Sequence, residues 1–231
     1  MFVGSWLREL QVWDNRAGAT SSVITNGADA RVFHSRGWQP WRGQGPLRLI
    51  THHWGGNWMK GSDIYQRLDA MLAESACKDK IAFTYIGNLP RGFAFRHARY
   101  VEPLYGEALA GELRSHHAYV TATINEPGGN HQNEGALYGL PLLFRRSGCL
   151  PEYCEGFGVP FGESGFDSAL EQLMAQYDQL AFKMPTYPHT AARTCAGYLA
   201  LLDQLVEARG RIVAQRRLWR DPWLVLRNQL P

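Results

Sequence analysis

Ala118 to Glu134 reads AYVTATINEPGGNHQNE, and the fold is decided within those residues. The run Ala118–Ile124 has the β-branched and aromatic content of a strand. Its carboxyl end delivers Glu126, and a helix is predicted from about Asn130 to Tyr138. Strand, glycine-bearing turn and helix in that order mark the ligand edge of an α/β protein, outside the carboxyl ends of the strands.

Outward from this stretch, short apolar runs alternate with amphipathic segments, the pattern of a parallel sheet covered by helices. Leu47–Thr51 reads as the first strand. Gly61–Ala73 follows as a helix, with Ile64, Leu68, Met71 and Leu72 at helical spacing and Ser62 as N-cap. Ile81–Ile86 reads as the second strand, ended by Gly87, and a short strand near Arg99–Val101 precedes a helix holding Leu109 and Leu113. Beyond the deciding stretch come a strand at Leu140–Phe144 and a helix carrying the stripe Phe166, Leu170, Leu173, Met174 and Tyr177. The expectation is an α/β fold: a Rossmann-like parallel sheet of about five or six strands, helices on both faces and right-handed crossovers.

Residues 46–185 form this domain. Residues 1–45 hold one amphipathic helix and the turn Asn26-Gly27 but little that can make a sheet, so they read as a linker outside its core. Residues 186–231 contain a helix near 188–208, with Leu199, Leu202, Leu205 and Val206 on one side, then a tail mixing Arg with Trp and Leu.

Composition narrows the function classes. Of 231 residues 45% are hydrophobic, enough for a core without disulfides, and a net charge of +3 is too mild to argue for a nucleic-acid partner. Cys77, Cys149, Cys154 and Cys195 lack the two-residue spacing of zinc or redox sites, which fits a reducing, cytoplasmic setting. No stretch approaches the roughly 20 apolar residues of a membrane span, and the first residues lack a basic segment followed by an apolar run.

Glu126 and Glu134 have seven residues between them. With Glu126 in the turn and Glu134 inside the following helix, both can face a ligand whose phosphates sit at the start of that helix. Gly128 and Gly129 let backbone N–H groups come close to phosphate oxygens. No Asp-x-Asp triplet is present to hold a divalent ion. His52-His53 and His116-His117 are adjacent pairs, and on strands adjacent side chains point to opposite faces, so neither pair can chelate one ion. No metal site is expected.

The run Glu126–Glu134, followed by Gly139-Leu140-Pro141, Ser147-Gly148 and Pro151-Glu152, resembles the signature of the retaining GT-B glycosyltransferases grouped as family 4. Val23–Asp29 with Phe33 is similar to the segment that joins that family's two domains, and Lys60-Gly61 follows the first strand as the family's phosphate-binding lysine does. The resemblance covers roughly residues 20–180. It implies that Glu126 contacts hydroxyls of a donor sugar, that Glu134 holds the ribose of a nucleotide, and that Lys60 meets the charge growing on the departing diphosphate. Gly128, Gly129 and Asn130 would line the donor site, and Val101, Pro103 and Tyr105 occupy the positions of base recognition. It also implies front-face transfer with retention of configuration and no metal or other cofactor.

Two departures qualify the resemblance. Where the family carries Gly-Arg ahead of its lysine, this chain has His52-His53-Trp54-Gly55-Gly56-Asn57-Trp58-Met59-Lys60, so one phosphate cation is missing. Backbone N–H groups at Gly55 and Gly56, or the Asn57 amide, can replace it, and Trp54 or Trp58 either stacks on the ligand or serves packing. The second departure is length: a GT-B enzyme has two Rossmann-like domains, and this chain has room for the donor-binding one. Residues 1–45 then read as the linker and a remnant of an N-terminal domain, and the acceptor domain is expected in cis or as a separate polypeptide.

Two function classes follow: a transferase module acting on a glycan or lipid-linked acceptor, and a truncated or non-catalytic nucleotide-sugar-binding module without turnover. A dinucleotide oxidoreductase is disfavoured, because Gly55-Gly56 and Gly61 do not supply the Gly-x-Gly-x-x-Gly spacing and the second strand ends at Gly87-Asn88 with no acid. The tail from Arg209 to Leu230 interleaves six arginines, among them Arg216, Arg217 and Arg220, with Trp219 and Trp223. It suits either an anionic membrane face or packing against a protein domain.

Overall fold

Strands β1 (Leu47–His53), β2 (Ile81–Gly87), β3 (Arg99–Val101), β4 (Ala118–Thr121), β5 (Leu142–Arg145) and β6 (Gly158–Phe161) form one parallel sheet in the order β3-β2-β1-β4-β5-β6. This is the expected Rossmann-like α/β architecture, seen in a computed structural model that describes residues 1–10, 21–215 and Trp223. β1 and β2 are buried along nearly their whole length, as strands covered on both faces require, and they pair from Leu47 with Ile81 to His53 with Gly87. β1 and β4 pair only at Leu49 with Ala118 and Ile50 with Tyr119. Between those two strands the direction of strand addition reverses.

Two apolar layers sandwich the sheet. On one face Leu49, Phe83, Val120 and Leu143 pack with helices α2 (Ser62–Met71) and α6 (Phe166–Ala175). On the other, Ile50, Ile86, Tyr119 and Phe144 pack with α3 (Gly106–Arg114), α4 (His131–Leu137) and α5 (Leu150–Cys154). Gly135 of α4 lies so close to the sheet that a Cβ there would fall 2.4 Å from Cδ2 of Tyr119.

Several boundaries differ from the sequence reading. β1 extends through His52 and His53, and β4 stops at Thr121. Beyond Thr121 the backbone turns to other partners: the Ala122 N–H donates to the Tyr65 hydroxyl and the Ile124 N–H to the Met59 carbonyl. The N-cap of α2 is Gly61, at φ 94°, and not Ser62. Tyr177 opens a separate helix, α7 (Tyr177–Lys183).

The chain forms two compact units, Met1–Thr194 and Cys195–Pro231. The first reaches past 186, since Met184 and Tyr187 belong to its core and the Ala191 N–H donates to the Ala28 carbonyl. It also takes in part of what reads as a linker: Ala28 and Phe33 are core residues, and α1 (Ser5–Glu9) sets Trp6 and Leu7 against the same cluster. The second unit holds most of α8 (Ala191–Glu207) and α9 (Arg209–Gln215), with Leu199, Leu202, Leu205 and Val206 exposed. Residues 11–20, and the tail at 216–222 and 224–231, lie outside the described residues. No helix among the described residues is long and apolar enough to cross a membrane.

Candidate functional site

The reversal between β1 and β4 opens onto a cavity of about 260 Å³, the place where open α/β sheets bind ligands. Lys60, Glu134, His52, His53 and His131 wall it, together with Trp54, Gly55, Gly129 and Asn130.

Lys60 is set by a short 3₁₀ turn, Trp58–Lys60, that ends at Gly61. A Cβ at Gly61 would fall 2.4 Å from that of Ala122, so only glycine fits both the positive φ and the contact. The turn is thereby pressed on the chain leaving β4, and Lys60 Nζ donates to Glu126 Oε2 at 3.2 Å.

Glu126 is buried, with 2% of its surface exposed. Its Oε1 accepts from the N–H groups of Gly128 at 3.3 Å and Gly129 at 2.9 Å. The amides expected to meet phosphate oxygens therefore bond to Glu126 itself. Ser147, Gly148 and Cys149 brace the turn from behind: the Asn125 N–H donates to Ser147 Oγ, the Cys149 N–H to the Glu126 carbonyl, and Gly148 packs against the Glu126 backbone. Glu152 accepts from the N–H and hydroxyl of Ser5. The Ser-Gly element of the motif thus braces the glutamate turn, whereas Glu152 of the Pro-Glu element ties α5 to α1.

Glu134 lies in the first turn of α4, and its Oε2 is 2.7 Å from His52 Nε2. Of the residues singled out in the sequence, the cavity brings together Lys60, Glu134, Gly129, Asn130 and Gly55, with Glu126 directly behind Lys60. Gly128 packs instead on Val3 and Tyr153, Gly56 on Leu89 and Asn88, and Asn57 is exposed. Tyr105 stacks on Trp54 with ring centroids 3.9 Å apart, both rings about half exposed, whereas Val101 packs on the core and Pro103 is half-buried.

The three histidines are the part that sequence reasoning missed. His52 and His53 do point to opposite faces, His52 toward Tyr119 and His53 toward Tyr65 and Tyr85. At the last residues of a strand, however, both faces border the same cavity. His131 joins them, its ring centroid 6.2 Å from that of His52 and 4.7 Å from that of His53. Burial holds His53 and His131 well below the ordinary imidazole range, and neighbouring imidazoles and Lys60 add to the shift. His53 Nε2 meets the Tyr65 hydroxyl at 2.6 Å and His131 Nε2 meets Thr121 Oγ1 at 2.9 Å. A signal for the cluster existed in the sequence: a His pair at a strand end and a third His at the helix start of the same site. Among the described residues no group of three or more His, Cys, Asp or Glu side chains is arranged to hold a metal ion.

No protein-family model matches the sequence, and no curated protein sequence does. Solved structures match the fold. Starch synthase IV from Arabidopsis thaliana, bound to ADP and acarbose, superposes with a TM-score of 0.56 at 17% identity over 77% of this chain and 41% of that one. Sucrose-phosphate synthase from Thermosynechococcus elongatus gives 0.61 at 15% identity over 93% and 58%. The pneumococcal O-GlcNAc transferase GtfA, in complex with UDP and GlcNAc, gives 0.66 at 14% over 89% and 45%. The chain thus spans between 41% and 58% of the length of these neighbours. With its six-stranded parallel sheet and its cavity at the strand-order reversal, the chain has the fold of one Rossmann-like half of a GT-B glycosyltransferase.

Proposed function

We propose that this chain is the donor-binding module of a retaining glycosyltransferase, which binds a nucleotide-diphosphate sugar and works with an acceptor-binding domain in cis or in trans. The observation that carries the reading is the cavity at the reversal, where Lys60 and Glu134 face one space. Neighbours of the same fold include a starch synthase bound to ADP and a GlcNAc transferase bound to UDP, which supports a nucleoside diphosphate as the ligand.

In this reading Glu134 accepts hydrogen bonds from ribose hydroxyls, and Trp54 with Tyr105 offers a flat surface to the base. Lys60 turns from Glu126 to the diphosphate, which frees Glu126 for hydroxyls of the donor sugar. Transfer breaks the bond between the anomeric carbon and a diphosphate oxygen. A bond to the acceptor's hydroxyl oxygen forms on the same face, and the acceptor's proton passes to the leaving phosphate. Lys60 and nearby N–H groups neutralise the departing charge, so no metal is required. The acceptor is a glycan or a lipid-linked sugar. Four free thiols support a reducing, cytoplasmic location, and the basic tail suits packing against a protein domain or the inner face of a membrane.

A second reading, a binding module without turnover, draws support from Glu126, which is 2% exposed and bonded to Lys60 and to two backbone N–H groups. Calorimetry with UDP-, ADP- and GDP-sugars tests what both readings share: the wild type binds at least one, and Glu134→Ala weakens binding about tenfold or more. Absence of binding to every donor overturns both. Transfer from a labelled donor, with and without an added acceptor domain, separates the two.

A further inference from the structure

The ring of His52 is engaged at both nitrogens, with Nε2 2.7 Å from Glu134 Oε2 and Nδ1 3.0 Å from the Tyr119 hydroxyl. The same hydroxyl oxygen accepts the backbone N–H of His52 at 3.0 Å. Its own proton has His52 Nδ1 at 3.0 Å and the His52 carbonyl at 3.4 Å in reach, with the Thr51 hydroxyl also beside it, and the ring nitrogen is the strongest acceptor of the three. A neutral imidazole that accepts at Nδ1 carries its proton on Nε2, so His52 donates to Glu134. Tyr119 is fully buried, its ring meets that of His52 edge-on at 5.5 Å, and Gly135 of α4 seats against it. Burial raises the phenol far above its ordinary range, so it stays a donor.

Glu134 Oε1, by contrast, has no hydrogen-bond partner among the described residues, and the residue lines the cavity. We propose that Tyr119 and His52 act in series as positioning residues, fixing one oxygen of Glu134 so that the carboxylate is presented ready-oriented to a vicinal diol. This rests on the donor-binding reading above and names what makes that site selective. A free glutamate loses side-chain entropy when a ligand orders it, and orienting it beforehand removes that cost from binding. A carboxylate that offers only acceptors prefers paired hydroxyls, and a ligand lacking one of them forfeits a charge-assisted hydrogen bond.

Two measurements on the full chain test this. Nitrogen-15 ring spectra at pH 8 should show His52 almost wholly in the Nε2–H form, shifting to a mixture in Tyr119→Phe; an Nδ1–H ring in the wild type overturns the proposal. Calorimetry with UDP and ADP, each beside its 2′-deoxy form, should show about a tenfold preference for the ribonucleotide. In His52→Ala that ratio should fall toward one, and His52→Gln, whose amide N–H can reach Glu134, should restore most of it. A His52→Ala chain that folds and keeps the full ratio, or a His52→Gln chain that restores none, overturns it. If the wild type binds no nucleotide, the donor-binding reading falls, and the ring spectra alone then decide whether Tyr119 and His52 hold Glu134 as stated.

Discussion

Two adjacent histidine pairs sit at opposite ends of the same sheet, and they differ in what they bond to. His116-His117, just before β4, ties the chain together: His116 Nδ1 bonds to the Glu112 carbonyl and Nε2 to Thr84 Oγ1, while His117 Nδ1 accepts the Arg48 N–H. The carbonyls of both accept from Trp38 and Tyr177. Beside this pair lies the larger cleft, about 590 Å³, where Arg99 is paired with Glu112 and Arg48 with the Ser115 carbonyl. His52-His53, at the carboxyl end of β1, borders a cavity less than half that size, and His52 bonds to a carboxylate whose second oxygen has no partner among the described residues. Cleft size therefore does not set the two ends apart. The identity of each polar partner does.

Acid treats the two ends alike and has the largest expected effect. Burial is the main cause that lowers His53 and His131 well below 6.5, and it brings His116 and His117 to about 4. Below pH 6.5 the unfolded chain takes up protons that the folded chain does not, so stability is full above that pH and falls as pH drops toward the folded values. Each buried imidazole adds a slope of up to roughly 1.4 kcal/mol per pH unit. Denaturant midpoints that match at pH 5 and pH 8 would contradict this.

Glu126→Ala comes next, with a loss of about 2 kcal/mol, because Lys60 and two backbone N–H groups lose their acceptor. That figure sits below the usual cost of breaking a buried pair because the Lys60 side chain is 26% exposed. Chemical denaturation checks it, and a cost near zero would show that the turn holds without its carboxylate.

The comparison itself is sharpened by paired substitutions. His116→Ala is expected to cost about 2 kcal/mol of stability and leave nucleotide affinity unchanged, whereas His52→Ala costs about 1 kcal/mol and weakens ribonucleotide binding. Equal effects on affinity would erase the distinction between the two ends. The smallest effect concerns Tyr105→Ala, which removes an exposed ring stacked on Trp54: stability should change by less than about 0.5 kcal/mol, with a change in preference among bases. Titration with UDP, ADP and GDP reads that preference, and an unaltered order removes the pair from base recognition.

Much of the fold was legible because burial imposes it. Leu47–Ile50, Ile81–Ile86 and Ala118–Thr121 are apolar on both faces, and that pattern suits few structures other than a covered parallel sheet. β6 and α5 were not read individually, being four and five residues long and too short for periodicity to register. In the site, the spacing of Glu126 and Glu134 is legible in the sequence together with the resemblance to the family 4 glycosyltransferases, and Lys60 is legible through that resemblance alone. The histidines were dismissed by an alternation argument that is right about faces but takes no account of where a strand ends. Tyr65 and Tyr119 are core residues whose hydroxyls also reach His53 and His52; no one-dimensional pattern distinguishes a phenol that packs from one that also donates.

A glycine inside a helix costs about 1 kcal/mol relative to alanine, and α4 carries one at 135 because its axis comes so close to the ring of Tyr119. That position acts as a wedge seat. A single methyl group at 135 would push the phenol, and with it the His52 ring, without touching any atom that meets a ligand. On the donor-binding proposal, Gly135→Ala is therefore expected to shorten the residence time of a bound nucleotide while its association rate stays the same, as stopped-flow kinetics would read, so that the pace of release would be written into a residue with no side chain.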